Sequence, residues 1–409
     1  MTKRTILFTR FIGRCLLLQL LMLTSIAASA QEAYSVLTES DSTLTFYYDE
    51  LRSSRPGSSY SLNTGCQECP WFGKRHKVAQ VVFDPSFAAA RPTSTYCWFY
   101  EMDNLASISG IAYLNTSSVT YMRFMFSGCV SLVSLDLSSF NTANVIDMGA
   151  MFQHCISLKS LDVNGFNTSN VTDMRLMFAD CFSLTSLDVS YFNTSNVTDM
   201  RAMFQACFTL TSLDVSGFNT SSVKDMAGMF ADCSSLTSLD VSGFNTGNVT
   251  DMFYVFQNCS ALTSLDLSNF NTSNVTDMTS MFNGCNHLET IYVGNGWSTD
   301  AVTKSDNMFY SCTNLVGGQG TVYDENHLGI DYAHIDGGPS NPGYLTGKMN
   351  IMNGDVNTDG EVNIADVNCI INVILGDLDI YGDRADVNAD GEVTIADVNV
   401  VIACILTGC

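Results

Sequence analysis

Eight cysteines, Cys129, Cys155, Cys181, Cys207, Cys233, Cys259, Cys285 and Cys312, stand 26 residues apart, with 27 at the last step. Each follows a phenylalanine by three residues and precedes a leucine by three. A period of this length leaves few folds open, because one such unit cannot bury its apolar face alone and must stack on the next. The fold class it predicts is a repeat solenoid. One unit, Met177 to Met203, reads MFADCFSLTSLDVSYFNTSNVTDMRAM, and its successors repeat it almost letter for letter. In the next unit Phe204, Cys207, Leu210, Leu213, Val215, Phe218, Val223 and Met226 are apolar, while Asp214, Ser216, Asn219, Thr220 and Asp225 between them are polar. Apolar columns therefore face in. The alternation Leu213-Asp214-Val215-Ser216 predicts one short parallel strand per 26-residue coil. Coils ~4.8 Å apart give eight of them a rod of roughly 40 Å.

The run Phe178-Ala-Asp-Cys181-Phe-Ser-Leu184-Thr-Ser-Leu187, recurring in each coil, resembles the leucine-rich repeat of the BspA-like bacterial surface proteins. The resemblance covers about 98–346. Trp98-Phe99 through Leu105 reads as a degenerate first coil with Met102 in the cysteine column. At the far end, Asn314-Leu315-Val-Gly-Gly and the run from Gly337 to Tyr344 resemble the family's closing cap. Residues 31–97 are left as an amino-terminal cap, with strand-like patches at Leu44 to Tyr48 and Val78 to Phe83.

Lys3, Arg4, Arg10 and Arg14 precede an apolar run around Leu16 to Leu23, and Ala28-Ser29-Ala30 offers small residues before Gln31. That is the layout of a cleavable secretory signal at 1–30, which implies a secreted or cell-surface bacterial protein. No later stretch is apolar for long enough to span a bilayer. The formal net charge of −23 becomes more negative once that basic leader is removed. Nucleic acid and anionic membrane are excluded as partners, since both would be repelled.

Calcium chemistry is written in the last 59 residues. Asp355, Asn357, Asp359, Asn363 and Asp366 supply oxygen at positions 1, 3, 5, 9 and 12 of a calcium loop, Gly360 makes the turn, and Glu361 at position 7 offers its backbone carbonyl. The same loop returns 31 residues later with Asp386, Asn388, Asp390, Glu392, Thr394 and Asp397. Two calcium ions are expected. A duplicated loop with Asp at position 12, each copy followed by one helix (Val367 to Leu375, Val398 to Leu406), resembles a dockerin over about 351–409. The fold expected there is a small all-α calcium-binding module. The resemblance implies a cohesin-type protein partner, contacted through loop positions 10 and 11, here Ile364, Ala365, Ile395 and Ala396. The pairs are identical, so either half could present the same surface. Docking on the chain's own coils is the other reading, because Ile371 and Asn372 stand where many dockerins carry basic residues.

A secreted chain with 15 cysteines invites a disulfide framework. The repeat cysteines, however, sit in an apolar column between Phe and Leu, and in-register side chains point the same way, so a reduced core ladder is expected. Cys66 and Cys69, with Cys97 near, predict a capping disulfide, a redox motif being the alternative. The pairing of Cys369, Cys404 and Cys409 stays open.

Two acidic columns climb the coils: Asp136, Asp162, Asp188, Asp214, Asp240 and Asp266, and Asp147, Asp173, Asp199, Asp225, Asp251 and Asp277. Carboxylates stacked at ~4.8 Å repel by roughly 0.9 kcal/mol even in water. The first column is a candidate acidic binding face for divalent ions or a basic partner; offset by Ser and Thr neighbours is the alternative. Beside it, the Asn141, Asn167, Asn193, Asn219, Asn245 and Asn271 column predicts an internal amide ladder.

Catalysis needs unlike groups converging, and this chain offers columns of like ones. The reading is a non-enzymatic exported surface protein whose repeats present a binding face to a protein or glycan, and whose calcium module attaches it to a partner. The alternatives are a non-catalytic component of a cohesin–dockerin polysaccharide-degrading complex, and a structural surface-layer protein.

Overall fold

The computed structural model describes residues 30–348, 354–357, 362–376, 385–388 and 390–407. Residues 1–29 of the expected leader, residues 349–353 and the loop residues Asp359, Gly360 and Glu361 lie outside them.

An amino-terminal sheet starts the stack. Strands β1 (Glu32–Thr38), β2 (Thr43–Asp49), β3 (Ser58–Ser61), β4 (Gln80–Phe83) and β5 (Ser107–Ser109) pair in the order β3-β1-β2-β4-β5. Pairing is antiparallel around β1 and parallel from β2 through β4 to β5. Because β5 belongs to the first coil, the cap's sheet passes directly into the parallel stacking of the repeats. Phe46 holds the cap together, its ring lying 4.7–6.1 Å from those of Trp71, Phe83, Phe87, Trp98 and Phe99. The two buried indoles find acceptors, Trp71 Nε1 donating to Trp98 O at 2.7 Å and Trp98 Nε1 to Asn63 Oδ1 at 2.6 Å.

The coils then repeat in register. Single-residue parallel bridges link Ser94, Tyr121, Asp147, Asp173, Asp199, Asp225, Asp251, Asp277 and Lys304 in succession. Phenylalanine rings of successive coils, from Phe126 to Phe282, stack face to face at 5.7–5.9 Å. The Phe, Cys, Val and Met columns are fully buried, as expected. In the second leucine column Leu161, Leu187, Leu213 and Leu239 are buried, whereas Leu135 is only half-buried.

The expected strand at Leu-Asp-Val-Ser is not what joins most coils. That stretch forms strand only near the end, in β6 (Ser264–Leu267) and β7 (Thr290–Val293), which pair in parallel, β7 pairing in parallel with β8 (Leu345–Gly347) on its other side. β7 carries Ile291, Tyr292 and Val293, whose branched and aromatic side chains favour the pleated state. The joint instead runs through the Asp-Met-x-x-Met-Phe-x-x-Cys segment. Met174, Leu176, Phe178 and Asp180 donate their N–H groups to carbonyls of the next coil at 2.8–3.1 Å, while Met177, Ala179 and Cys181 donate three residues back within their own coil. Alternate amides thus serve the neighbour and the turn. Such a chain of tight turns needs left-handed residues, and Leu176 and Asp180, like their equivalents Ala202 and Ala206, have φ of 51–60°. Alternation of apolar and polar residues does not reveal this geometry, because its period belongs to turns.

Two side-chain ladders complete the stack. Each repeat cysteine points its Sγ at the carbonyl oxygen of a phenylalanine in the preceding coil, at 3.0–3.3 Å from Cys129 to Phe99 through Cys312 to Phe282. All eight are free thiols. Each buried threonine of the Asn-Thr pair reaches the next coil; Thr168 Oγ1 donates to Asn193 O at 3.0 Å and accepts from Asn193 N at 2.8 Å. The amide ladder sits one column away from the expected one. Asn167 and its equivalents cap their own turns, while Asn144, Asn170, Asn196, Asn248 and Asn274 donate Nδ2 to a carbonyl one coil earlier at 2.7–2.8 Å.

In the amino-terminal cap, the disulfide expected at Cys66 and Cys69 does not form. Both are free, as is Cys97, and Cys69 Sγ instead donates to Cys97 O at 3.2 Å. At the other end, the buried carboxylate of Asp336 closes the stack by accepting from Gln319 N, Thr321 N and Oγ1, and Gly338 N at 2.7–3.0 Å. The carboxyl-terminal module contributes two helices, α1 (Ile364–Ile374) and α2 (Ile395–Thr407), packed around Val356, Val367, Ile370, Val387, Val398 and Val401. Each begins three residues before its expected start. There Cys369 is a buried free thiol and Cys404 is disulfide-bonded.

Thr168→Val keeps the shape of a fully buried side chain and strands both main-chain groups of Asn193. A loss of about 1–3 kcal/mol is expected. Urea unfolding of the full chain reads it, and an unchanged midpoint would remove the threonine ladder from the account.

Candidate functional site

Each loop with the expected calcium spacing ends by becoming a helix. Asn363 caps α1 by accepting from Ala365 N at 2.7 Å, while Asp366 reaches back to Asn363 N at 2.9 Å, a reciprocal capping box. Thr394 and Asp397 repeat it at α2, with Ala396 N to Thr394 Oγ1 at 3.1 Å and Thr394 N to Asp397 Oδ2 at 2.8 Å. The second oxygens of Asp366 and Asp397 accept from Asn357 N and Asn388 N at 3.0 and 3.1 Å, which ties position 12 to position 3 in both copies. Burial pushes the Asp397 carboxyl up, and its main-chain donors, Thr394 N and Asn388 N among them, more than offset that and hold it below the usual range. In the second loop Asp386 accepts from Asp390 N and Gly391 N at 3.1 and 2.8 Å, wrapping the turn round a carboxylate.

These groups fit a hard cation. The side-chain donors at the named positions are all oxygen, and Asp355, Asp366 and Asp397 are fully buried carboxylates set on the loop interior. Among the described residues no three Asp, Glu, His or Cys side chains gather as a complete cation shell. A loop of this kind also draws on Asn, Thr and main-chain carbonyls, and Asp359 and Glu361 lie outside the described residues. Asn363 and Thr394 use a side-chain oxygen for capping, as suits position 9, which often binds through water. Just beyond, Ile364 and Ile395 project from the first helical turns with 65% and 66% of their surface exposed, and Ala365 and Ala396 lie beside them.

The structure separates the two acidic columns. Asp136, Asp162, Asp188, Asp214, Asp240 and Asp266 each accept from the N–H two residues on at 3.0 Å. At Asp188, Asp214 and Asp240 the serine hydroxyl and N–H hold the carboxyl below its ordinary range. Asp266 also pairs with Lys348. The column thus shapes turns, each carboxylate engaged by its own coil. In the second column arginines interleave. Arg123 contacts Asp147 and Asp173, Arg175 contacts Asp173 and Asp199, and Arg201 contacts Asp199 and Asp225, at 2.9–3.7 Å. Burial pushes the carboxyls of Asp147 and Asp225, at the two ends of the arginine-threaded stretch, up.

That ladder opens a site which sequence reasoning missed. A groove of about 640 Å³ takes its lining from five coils, with Arg123, Arg175 and Arg201, then Ala202, Ala227 and Gly228, and then Phe253 and Tyr254. A signal for it existed. Two residues after each column aspartate stand Gly149, Arg175, Arg201, Ala227, Phe253 and Thr279, a position that varies while the core columns around it stay constant.

A family model described as a Mycoplasma protein of unknown function matches residues 93–212, 181–292 and 238–322, together more than half of the chain. The chain belongs to that family. Its repeats are those of the BspA-like type. A model of the dockerin type I domain matches residues 353–406, so the family's repeat stack here carries a dockerin module. Modules of that class generally bind calcium and imply a cohesin-type protein partner. Among solved structures, a leucine-rich repeat protein from Eubacterium ventriosum matches at 14% identity over 69% of this chain and 93% of that one, with a TM-score of 0.24. At that score it bears on neither fold nor function here. No curated protein matches the chain. Among the described residues no helix is long and apolar enough to cross a membrane.

Removing calcium should unfold the module. A fragment of residues 351–409 is expected to gain helix by circular dichroism on adding calcium and to lose it in excess chelator, because carboxylates held together by the ion otherwise repel. Asp355→Ala with Asp386→Ala should abolish the response, and equal helicity in chelator would contradict it. The repeat thiols should behave oppositely to surface ones: burial pushes Cys207 and Cys285 up to about 12. A maleimide reagent is expected to label the repeat column only after denaturation, and rapid labelling of the native chain would place it at the surface.

Proposed function

We propose that this chain is a non-enzymatic, exported binding protein whose coil stack presents a ligand-binding face and whose dockerin module attaches it to a cohesin-type partner in a calcium-dependent way. The observation that carries the reading is the division of labour within each coil. Core, threonine and turn-capping columns are constant, while one outward face, at residues 175–176, 201–202, 227–228 and 253–254, changes from coil to coil. Constant columns hold a stack together; a face that varies along it can discriminate ligands.

A second reading, a non-catalytic component of a polysaccharide-degrading complex held by cohesins, draws on the duplicated Ile364-Ala365 and Ile395-Ala396 surfaces. Two identical pairs, each with its isoleucine exposed, suit a partner that meets the module in either orientation. Both readings share the attachment step and differ in the assembly it serves.

The test is surface plasmon resonance of the full chain over an immobilised cohesin module. Binding in calcium, lost in chelator and weakened about tenfold or more by Ile364→Asp together with Ile395→Asp, is expected. Binding that survives chelator, or that ignores the double substitution, would contradict the assignment of the module's contact surface.

A further inference from the structure

The groove between Arg175 and Tyr254 has a composition that selects its occupant, and a ligand for it presupposes the reading of the coil stack as a binding surface. Small residues, Ala202, Ala227, Gly228 and Ala231, line its middle, while the position of Ala227 carries Arg or Phe in four other coils and that of Ala202 and Gly228 carries Phe124, Leu176 and Tyr254 in three. One end is walled by Arg175 and Arg201 with Gln205 between the coils, the other by Phe253 and Tyr254, whose ring centroids lie 3.5 Å apart. The volume of about 640 Å³ is that of a small-molecule or short-chain site. Three coil steps at ~4.8 Å give it a length of roughly 14 Å.

Charge and hydrogen-bonding capacity narrow the ligand. All three guanidinium groups that line the groove are pinned by carboxylates on either side, Arg123 by Asp147 and Asp173, Arg175 by Asp173 and Asp199, and Arg201 by Asp199 and Asp225. The wall is therefore rich in fixed donors and acceptors, yet it carries no surplus positive charge to hold an anion. An extended peptide adding as a strand needs free main-chain groups on the surface it meets. Here Met200, Ala202, Phe204 and Ala206 already donate to the next coil, as do Met226, Gly228, Phe230 and Asp232. What remains is a ligand with hydroxyl groups that both donate and accept, and with an apolar face to lie on an aromatic platform.

We propose that this groove binds a neutral carbohydrate chain, two or three sugar rings long, with one ring stacked on the Phe253–Tyr254 platform and hydroxyl groups meeting the Arg175 and Arg201 wall. Fold and site can be separated experimentally, because the coil position of Ala227 accepts Arg in three other coils, at Arg123, Arg175 and Arg201, and Phe in the next, at Phe253. Ala227→Phe fills the groove without asking the coil for anything it does not already hold elsewhere. Phe253→Ala removes the platform at a position where other coils carry Gly or Ala.

The experiment is isothermal titration of the full chain, in calcium, with neutral gluco-, xylo- and manno-oligosaccharides of three to six units and with an oligogalacturonate. Binding of at least one neutral oligosaccharide is expected, weakened tenfold or more by Ala227→Phe and by Phe253→Ala and unchanged by Asp214→Asn on the other acidic column, with all variants melting like the parent. Stronger binding of the oligogalacturonate, or sugar binding indifferent to Ala227→Phe, would overturn the proposal. The same titration is run with soluble fibrinogen and fibronectin as protein probes. If either binds and is displaced by Ala227→Phe while no sugar binds, the carbohydrate assignment falls and the binding reading stands; if no sugar and neither protein binds, both fall.

Discussion

The stack depends on alternate main-chain amides reaching from one coil to the next while the amides between them close turns within the coil. This arrangement satisfies the backbone of a tightly wound chain without a continuous strand. It also requires left-handed residues twice per coil, mostly at side chains other than glycine, such as Leu176, Asp180, Ala202 and Ala206. Such conformations cost roughly 1–3 kcal/mol each and persist only where surroundings over-determine them. Here the surroundings do so: buried Met and Phe columns lie between them and the buried Cys column follows directly, and the thiols and threonines tie carbonyls of adjacent coils from within.

Charge is managed coil by coil as well. A chain of net charge −23 stacks aspartates in two columns, and each solves its repulsion locally. On one, every carboxylate takes the N–H two residues on, so charge is spread into the turn. On the other, the same turn is made and three arginines thread between neighbouring carboxylates. The arginines leave their column at Ala227 and the aromatic pair takes it over at Phe253, and the groove lies in that interval. Because the backbone beneath is common to all coils, substitution at these positions alters the surface while leaving the joint between coils intact.

Much of this was legible in the sequence. The period, the inward columns and the reduced thiols follow from Cys181 standing between Phe178 and Leu184 in one coil after another, and the dockerin module from the oxygen spacing that starts at Asp355 and Asp386. The location of the inter-coil bond was not legible. Leu213-Asp214-Val215-Ser216 alternates as a strand does, yet the bond runs through Asp225-Met226-Ala227-Gly228, whose turn geometry has no apolar period. Amide capping misled in a similar way, since Asn167 and Asn170 are both asparagines near a turn and only the structure shows which one crosses to the neighbouring coil. Cys66 and Cys69 had the spacing of a bridge, but the packing around Trp71 and Trp98 turns Cys69 towards the Cys97 carbonyl.

Amide hydrogen exchange on the full chain, resolved by overlapping peptides, tests the central claim most directly. The account predicts the slowest exchange in the coils at segments equivalent to 174–181, where each coil donates to the next, and faster exchange at those equivalent to 187–190. Slow exchange centred on 187–190 and its equivalents, with 174–181 exchanging freely, would mean that the coils are joined by strands and that the account of the stack is wrong.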